Sequence, residues 1–257
     1  MPTLLETVKC PPIADAAVLF KSLETFREQG GKGDVYVRGQ PDADWGLVPS
    51  IGRRRVYHYG PKVIEEFSLM QESDLLDRFR RYAYAIVGRE LTLWETIFLA
   101  RHHNLPVRLL DWTSNPLVAL FFAVECHRFV EKDGAVWVIR RKADRKNDIR
   151  VLEGNGKPLD IKGVRMIYPV FASPRLVVQS GCFTIHGYPW MDLSRLDSHE
   201  HGQADMDIES LRKLTVPREY KMDLLKYLMR AGINSRTLFP DLDGLAKGLW
   251  QLEVIRD

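Results

Sequence analysis

Residues 105–122, LPVRLLDWTSNPLVALFF, constrain the fold more than any other stretch of the chain. From Pro116 onward the sequence predicts a helix almost without a polar face, and a helix that is apolar on all sides is buried on all sides. Asn115 suits an N-cap and Pro116 the first helical position, so the helix start is doubly marked. Residues 105–110 form a short apolar run, which predicts a buried strand or a tight turn. The small polar groups of residues 111–115 are therefore expected at the edge of the densest part of the core.

The chain length of 257 residues fits one large domain or two small ones. Its hydrophobic content of 45% and charged content of 28% are those of an ordinary globular protein. The net charge of +3, from 37 basic and 34 acidic residues, gives no nucleic-acid signature by itself.

Cysteine usage and hydropathy predict a cytoplasmic protein with no membrane partner. Cys10, Cys126 and Cys182 are odd in number and widely spaced, which argues against a disulfide framework and for a reducing compartment. The first residues, MPTLLETVKCPP, lack the basic region and apolar run of a signal peptide. The longest apolar run, residues 116–126, is interrupted by Glu125 and is too short to span a bilayer.

Hydrophobic periodicity predicts helices and strands without regular βαβ alternation, which indicates an α+β class and a single domain over residues 1–257. Residues 186–210 are rich in acids and histidines and predict a long loop or flap. The predicted helices span residues 13–29, 61–86, 92–103 (with a capping box formed by Thr92 and Glu95), 116–126, 219–231 and 242–252. The predicted strands or extended pieces span residues 35–38, 45–51, 134–140, 164–171, 176–185 (interrupted at Ser180-Gly181), 211–216 and 234–239.

Arg38 stands just inside the first predicted strand and is followed by Gly39. An arginine there can hold a guanidinium under a backbone that leaves room for a ligand, and arginine suits bidentate recognition of phosphate or carboxylate. The alternative is an arginine paired with a buried carboxylate such as Asp111. Spacing alone leaves both interpretations open.

The central stretch brings Arg108, Asp111, Thr113 and Ser114 within seven residues. One interpretation is a polar nest at a helix N-terminus that binds an anion or a nucleotide. The other is that Asp111 and Thr113 satisfy backbone donors while Trp112 fills the core, because such hydrogen bonds are common at helix starts.

Other polar groups each have a functional and a structural interpretation. Arg175, Gln179 and Phe183 are predicted on or beside one strand, where they either line a cleft or make ordinary cross-strand contacts. Asp241 and Asp243 stand in the first turn of the last helix, where the helix dipole favours carboxylates and capping explains them.

No metal site is predicted. His102 and His103 are adjacent and do not share a helix face, and residues 199–201, His-Glu-His, have no third ligand placed by spacing. The sequence contains no GxSxG, P-loop or GxGxxG motif. The glycines at positions 30 to 33 follow a helix, whereas a dinucleotide-binding turn follows a strand.

Taken together and in this order, five segments resemble the FRG domain family, which is named for an early Phe/Tyr-x-Arg-Gly signature. The resemblance covers roughly residues 18–249, and LPVRLLDWTSNP is long enough to be specific. The family usually shows Gln-His-Tyr-Gly-x-Pro-Thr before Leu-Leu-Asp-Trp-Thr. This chain keeps His102 and Pro106 of that pattern but has Arg101 where the Gln is usual. The segments are YVRGQ (36–40), WGLVPSIGRR (45–54), LARHHNLPVRLLDWTSNPLVALFFAV (99–124), SPRLVVQSGCFTIH (173–186) and TLFPDLDGLA (237–246).

The resemblance implies a fold of the ADP-ribosyltransferase-like group, with a small split mixed or antiparallel β-sheet core that grips NAD and with N-terminal and peripheral helices. Within a core of about residues 18–249, residues 61–104 would be a helical insert and residues 186–210 a loop or flap. The family occurs in bacteria, phages and defence-associated loci, so the resemblance also implies a toxin or phage-defence effector.

The same resemblance assigns site residues. Arg38 would contact the nicotinamide ribose or a phosphate, Thr113 and Ser114 would prop the NAD cleft, and Gln179 stands where such enzymes often carry a catalytic Glu. A neutral Gln can hydrogen-bond the ribose but stabilises developing positive charge less well, so Asp111, Asp241 or Asp243 would supply the carboxylate. The predicted catalytic residues are Arg38, Asp111 and Gln179. The predicted NAD-binding residues are Arg38, Gly39, His102, Arg108, Thr113, Ser114, Arg175, Phe183 and Asp241.

The leading hypothesis is thus an NAD-binding, ADP-ribosyltransferase-like enzyme. It would use NAD as a substrate, either to transfer ADP-ribose to a protein or nucleic acid or to hydrolyse NAD, and it would need no metal. The alternative is a non-catalytic nucleotide or nucleic-acid binding module in which Arg53, Arg54 and Arg55 contact phosphates. A third possibility is an interaction partner whose helices dock another protein.

Overall fold

The computed structural model describes residues 5, 10–53, 56–59, 62–65, 69–143, 157–169, 174–195 and 206–255. These residues form a mixed α+β fold, as the sequence predicts. Its helices are α1 (Ala16–Glu28), α2 (Leu69–Val87), α3 (Leu93–His102), α4 (Pro116–Val124), α5 (Pro174–Val178), α6 (Lys221–Arg230), α7 (Ser235–Leu238) and α8 (Leu242–Ile255). Its strands are β1 (Val35–Gln40), β2 (Val56–Tyr59), β3 (Lys62–Glu65), β4 (Leu109–Thr113), β5 (Gly134–Arg141), β6 (Val164–Ile167), β7 (Gly181–His186) and β8 (Ile208–Val216).

Six of these strands form one antiparallel sheet in the order β6-β7-β4-β1-β5-β8, and β2 and β3 form a separate hairpin. The pairings on either side of the centre are long: β1 pairs with β5 over six residues and β4 pairs with β7 over five. In the middle, β1 and β4 are joined by one residue pair, Val37 with Thr113. The sheet therefore opens between β1 and β4 immediately beside that pair.

Helix α4 is buried because its sequence leaves it no face for water. Asn115 caps it by accepting a hydrogen bond from the Leu117 amide, and six of its nine residues are buried. It lies against β1 at Gly39, where an added Cβ would be 1.8 Å from the Ala119 carbonyl oxygen. A glycine is needed at this position because the helix backbone occupies the space of a side chain. Side chains from α1, α4 and α6 then share one core cluster with β1, β5 and β8.

Two further core clusters complete the packing. One is built on Tyr36, Trp112 and Trp137 together with Leu47 and Leu193. The other packs α3 and part of α2 against β4, β6 and β7. Helix α2 is fixed to the start of β4 by a buried ion pair, in which Glu72 receives hydrogen bonds from the Arg108 amide at 3.0 Å and from Arg108 Nε at 2.9 Å. None of the described helices is long and apolar enough to cross a membrane.

Several predicted elements are confirmed with small shifts. The capping box of Thr92 and Glu95 is present at the start of α3. Of the run 105–110, predicted as a buried strand or a tight turn, only Leu109 and Leu110 lie in a strand, β4, which continues through Asp111 to Thr113. Three cysteines, Cys10, Cys126 and Cys182, are free thiols.

Four local predictions are wrong. Residues 62–65 are strand β3 rather than the first turn of a helix, and they pair antiparallel with β2. Residues 45–51 do not form a strand: Ser50 and Ile51 belong to a 3-10 turn, which the Gly52 amide closes by donating to the Pro49 carbonyl. Residues 174–178 are helix α5. Residues 235–238 are helix α7, which Asn234 caps by accepting from the Thr237 amide.

Some predicted segments lie partly or wholly outside the described residues. These are the end of the strand predicted over 164–171, the His-Glu-His of residues 199–201, Arg54 and Arg55. Of the loop or flap predicted over 186–210, the ends are structured: His186 closes β7, Leu193–Arg195 is a 3-10 turn and β8 begins at Ile208. Residues 196–205 are outside the described part.

Candidate functional site

A cleft of about 290 Å³ lies where the sheet opens between β1 and β4. Strand β1 contributes Val37 to Gly39, and β4 contributes Asp111 to Thr113. The remaining walls come from α3, α4, the segments that follow α4, and α5. The charged and polar lining residues are Arg38, Arg101, Asp111, Thr113, Glu125, Arg175 and Gln179, and the aromatic ones are Trp45, Trp112, Phe122 and Phe129.

Asp111 is held between two arginines at the base of the cleft. Arg38 Nη1 donates to the Asp111 carbonyl oxygen at 2.8 Å and approaches its Oδ2 at 3.4 Å. Arg101 Nε approaches Oδ1 at 3.1 Å and Oδ2 at 3.2 Å, and Arg101 Nη2 also bonds Oδ2. The predicted pairing of Asp111 with Arg38 is confirmed, and Arg101 is a second partner. The Asp111 side chain keeps 40% of its surface exposed, so the ion pair borders the open space of the cleft.

These contacts set the charge state of the group. Burial acts to raise the pKa of Asp111, but the positive charges of Arg101 and Arg38 outweigh it and lower the pKa to about 2. Burial lowers the pKa of Arg38 to about 10, which leaves the guanidinium charged at neutral pH. The pKa of Arg101 is raised by Asp111. One carboxylate and two guanidinium groups are therefore all ionised.

The cleft carries an excess of positive charge. Arg175 lines it as a third guanidinium, and its Cζ lies over the Phe239 ring at 4.4 Å from the centroid. The second carboxylate of the lining, Glu125, is matched by Lys247, whose Nζ lies 2.5 Å from Glu125 Oε2. Arg38 Nε is buried without a hydrogen-bond partner among the described contacts. This imbalance favours an anionic ligand.

Thr113 and Gln179 connect β4 to the α5 side of the cleft. Thr113 Oγ1 donates to the Gln179 carbonyl oxygen at 2.6 Å and accepts from the Asn115 amide at 2.9 Å. The Gln179 side-chain amide donates to the Leu238 carbonyl oxygen at 3.0 Å. Both side chains thus hold the cleft wall to α4 and α7.

A buried lysine, Lys221, holds the aromatic wall of the cleft in place. Trp45 meets Phe129 edge to face at 4.9 Å between ring centroids. Lys221 is 2% exposed, and its Nζ donates to the carbonyl oxygens of Pro41 at 2.6 Å and Phe129 at 2.7 Å. Pro41 and Phe129 both line the cleft, so one buried ammonium group fixes two of its wall segments.

The structure brings six of the predicted site residues to this cleft: Arg38, Gly39, Asp111, Thr113, Arg175 and Gln179. Arg175 and Gln179 reach it from α5 and the residue after it, whereas the sequence predicted a strand. Gly39 touches the cleft, but its lack of a side chain is required by α4 rather than by a ligand.

The other predicted site residues do not line it. Arg108 is buried against Glu72, and Phe183 lies in the core at 5.6 Å from Phe98. Ser114 is exposed, and its amide donates to the Ser180 carbonyl oxygen. Asp241 Oδ1 accepts from the Gly244 amide at 2.7 Å, which supports its interpretation as a capping residue. His102 packs edge to face on His103, and burial lowers its pKa.

Sequence reasoning missed Arg101, Glu125 and the aromatic wall. A sequence feature could have marked Arg101 as a site residue, because it stands where the FRG pattern usually has Gln. Glu125 could also have been found, because it is the single charge that interrupts an apolar run. Trp45, Phe122 and Phe129 had no such feature, since exposed and core aromatics look alike in sequence.

The fold and the site define an antiparallel α+β protein with a cationic cleft at an opening of its sheet. Residues 33–132 match the family model of the FRG domain, which supports the resemblance to that family. The match contains Arg38, Arg101 and Asp111 as well as α4, while Arg175 and Gln179 lie beyond it. No curated protein and no solved structure matches the chain.

Proposed function

We propose that this protein is an NAD-binding enzyme of the ADP-ribosyltransferase-like type, which transfers ADP-ribose to a macromolecule or hydrolyses NAD. The observation that carries the proposal is the group of Arg38, Arg101 and Arg175 around the ion-paired carboxylate of Asp111 at the opening of the sheet. Guanidinium groups bind phosphate oxygens in a bidentate manner, and the pyrophosphate of a dinucleotide would neutralise their excess charge.

The rest of the lining suits the remainder of a dinucleotide. Trp45, Phe122 and Phe129 offer apolar ring surface for a nicotinamide or adenine ring. The partial opening of the sheet between β1 and β4 also agrees with the split sheet of the ADP-ribosyltransferase-like group. Arg38 is the residue we expect to contact the nicotinamide ribose or the adjoining phosphate.

Loss of nicotinamide from NAD leaves positive charge on the ribose, which a fixed carboxylate stabilises. Asp111 is the carboxylate for this role, because its pKa of about 2 keeps it ionised at any physiological pH. Gln179 contributes a hydrogen bond to the ribose. Asp241 and Asp243 are not part of the cleft lining, so we do not assign them this role.

The setting that we propose is a bacterial cytoplasm, where the protein would act as a toxin or phage-defence effector. Its free cysteines suit a reducing compartment. The proposed reaction uses NAD as a substrate and requires no metal.

The test is incubation of the purified protein with labelled NAD, alone and with a cell lysate, followed by measurement of free nicotinamide and of labelled protein and nucleic acid. We expect Arg38→Ala and Asp111→Ala to abolish NAD consumption while circular dichroism stays that of the wild type. Arg89→Ala is the matched control, because Arg89 is exposed and pairs with Glu95 outside the cleft. Full NAD turnover in both cleft variants would show that the site is wrong.

A non-catalytic nucleotide-binding module is the second candidate. It is favoured by the neutral Gln179 and by the two arginines that already engage Asp111. Saturable NAD binding by calorimetry, lost in Arg38→Ala, together with no nicotinamide release by the wild type, would select this candidate over the enzyme.

A further inference from the structure

A second groove shares one wall residue, Trp45, with the cationic cleft. It encloses about 550 Å³ between Trp45 and Trp190, with Val48 and Arg53 beside them. We call it the Trp45–Trp190 groove. The site described above makes no use of Val48, Arg53 or Trp190.

The two walls of the groove are held together by specific contacts. Asp192 Oδ1 accepts from the Leu47 amide at 2.8 Å and so ties the two walls together. The walls touch so closely that a Cβ at Gly46 would be 2.2 Å from Asp192 Oδ2, and a Cβ at Gly52 would be 1.8 Å from the Pro189 carbonyl oxygen.

Two large aromatic rings are nevertheless left in contact with water. Trp45 is 38% exposed and Trp190 is 52% exposed. Each indole is oriented by another ring: Trp45 by Phe129 at 4.9 Å and Trp190 by Tyr188 at 5.7 Å, both in edge contacts. Pre-oriented, solvent-exposed indoles are suited to stacking against flat rings.

Arg53 adds a cation to this surface. Its Nε donates to the Val48 carbonyl oxygen at 3.0 Å, which keeps the guanidinium at the groove. The one carboxylate of the lining, Asp44, is 87% exposed and lies 3.9 Å from Lys132 Nζ, so it adds little opposing charge. Exposed indoles beside a guanidinium match a nucleobase joined to a phosphate.

An extended peptide fits this surface less well. Peptides are commonly bound by adding a strand to a free sheet edge. The segment that forms this wall is not a strand, and its amides are used in turns: Trp45 donates to the Asp42 carbonyl and Gly52 to the Pro49 carbonyl.

We propose that the Trp45–Trp190 groove binds single-stranded nucleic acid, with a base stacked on an indole and a phosphate at Arg53. Because Trp45 borders both spaces, the bound nucleotide lies next to the cationic cleft. Its role as the acceptor rests on the proposed function. In that reaction the bond between ribose C1′ and nicotinamide breaks, the electron pair leaves with nicotinamide, a nitrogen or oxygen of the nucleotide bonds C1′, and the proton of that atom passes to solvent.

The test is fluorescence anisotropy of a labelled single-stranded oligothymidylate with the full chain at several salt concentrations. Loss of one stacked base predicts that Trp190→Ala weakens binding about 5- to 150-fold, while Trp190→Phe keeps most of it. Arg53→Ala is expected to weaken binding and to reduce the slope of log K against log salt by about one. The matched control is Trp250→Ala, because Trp250 is 67% exposed on α8 and lines neither space.

Two binding results would overturn the proposal: no oligonucleotide binding by the wild type, or equal binding by Trp190→Ala and Trp250→Ala. A labelled protein acceptor whose modification depends on Trp190 would also overturn it in favour of a protein-docking groove. The outcome is separable from that of the proposed function, because NAD binding to Trp190→Ala is measured without oligonucleotide and is expected to equal that of the wild type.

Discussion

The buried ion pair between Glu72 and Arg108 gives the sharpest stability prediction. Both side chains are inaccessible to solvent, at 0% and 3% exposure. Glu72 receives the Arg108 amide at 3.0 Å and Arg108 Nε at 2.9 Å, and its Oε2 lies 2.7 Å from Nη2. Glu72→Gln keeps the shape but removes the charge and turns one acceptor into a donor that faces other donors.

Removal of one partner from a buried ion pair costs about 3–5 kcal/mol, because the other charge stays buried without compensation. For a chain of this size that loss corresponds to a melting temperature lower by about 6–20 °C. The whole folding stability of a typical protein is about 5–15 kcal/mol, so the variant would lose a large part of it.

Urea denaturation followed by tryptophan fluorescence measures the loss, with Asp77→Asn as the control. Asp77 and Arg80 form an exposed ion pair at 3.5 Å, whose loss costs no more than about 1 kcal/mol. The double variant Glu72→Met with Arg108→Met is expected to recover most of the stability, since it leaves no lone charge. A loss below about 1 kcal/mol in Glu72→Gln would refute the reasoning.

Three further outcomes follow from the packing and the charges. Gly39→Ala is expected to lower the unfolding free energy, measured by denaturant titration, by about 1–3 kcal/mol or more, because the new Cβ would overlap the α4 backbone. Gly31→Ala is the control and is expected to change the unfolding free energy little, because its Cβ would meet only the flexible carboxylate of Glu209. Burial lowers the pKa of His186 to about 3, below its unfolded value of about 6.5. The unfolded state therefore gains the proton first, and the unfolding free energy falls as the pH drops from about 6.5 to about 3, by up to about 1.4 kcal/mol per pH unit. An NMR titration that showed His186 protonated near pH 6 would contradict this prediction. Lys221→Met leaves the Pro41 and Phe129 carbonyls without their donor, so we expect it to lower the unfolding free energy by about 2–4 kcal/mol and to weaken the proposed NAD binding. An unchanged melting temperature would contradict the structural role of Lys221.

The parts of the fold that local chemistry determines were predictable from the sequence. Asn115 and Pro116 mark the start of α4, and Thr92 with Glu95 marks the start of α3, because caps act within one helical turn. Helix α5 was not predictable, since Val177 and Val178 favour a strand and its helical state is imposed by its surroundings. Asn234 with Thr237 forms a capping box without the usual Glu or Gln.

The candidate site was predictable only in part, because its second half depends on tertiary geometry. Arg38 and Asp111 stand out as polar residues in two short apolar strands, so a meeting between them could be proposed. Arg101 and Arg108 look alike in sequence, each an arginine among apolar residues near Asp111. Arg101, near the end of α3, reaches Asp111 in the cleft, whereas Arg108, just before β4, pairs with Glu72 in the core, and no local pattern distinguishes these two outcomes.

The close approach of α4 to Gly39 changes what a match to the Arg-Gly signature reports. The two neighbouring residues have different roles: Arg38 places a charge at the cleft, and Gly39 allows α4 to pack closely on the sheet. A chain that bound nothing in this cleft would still need the glycine in order to fold. A match to the glycine of the signature therefore reports the packing of α4 on β1, and only the arginine and its carboxylate partner report whether the charged group of the cleft is kept.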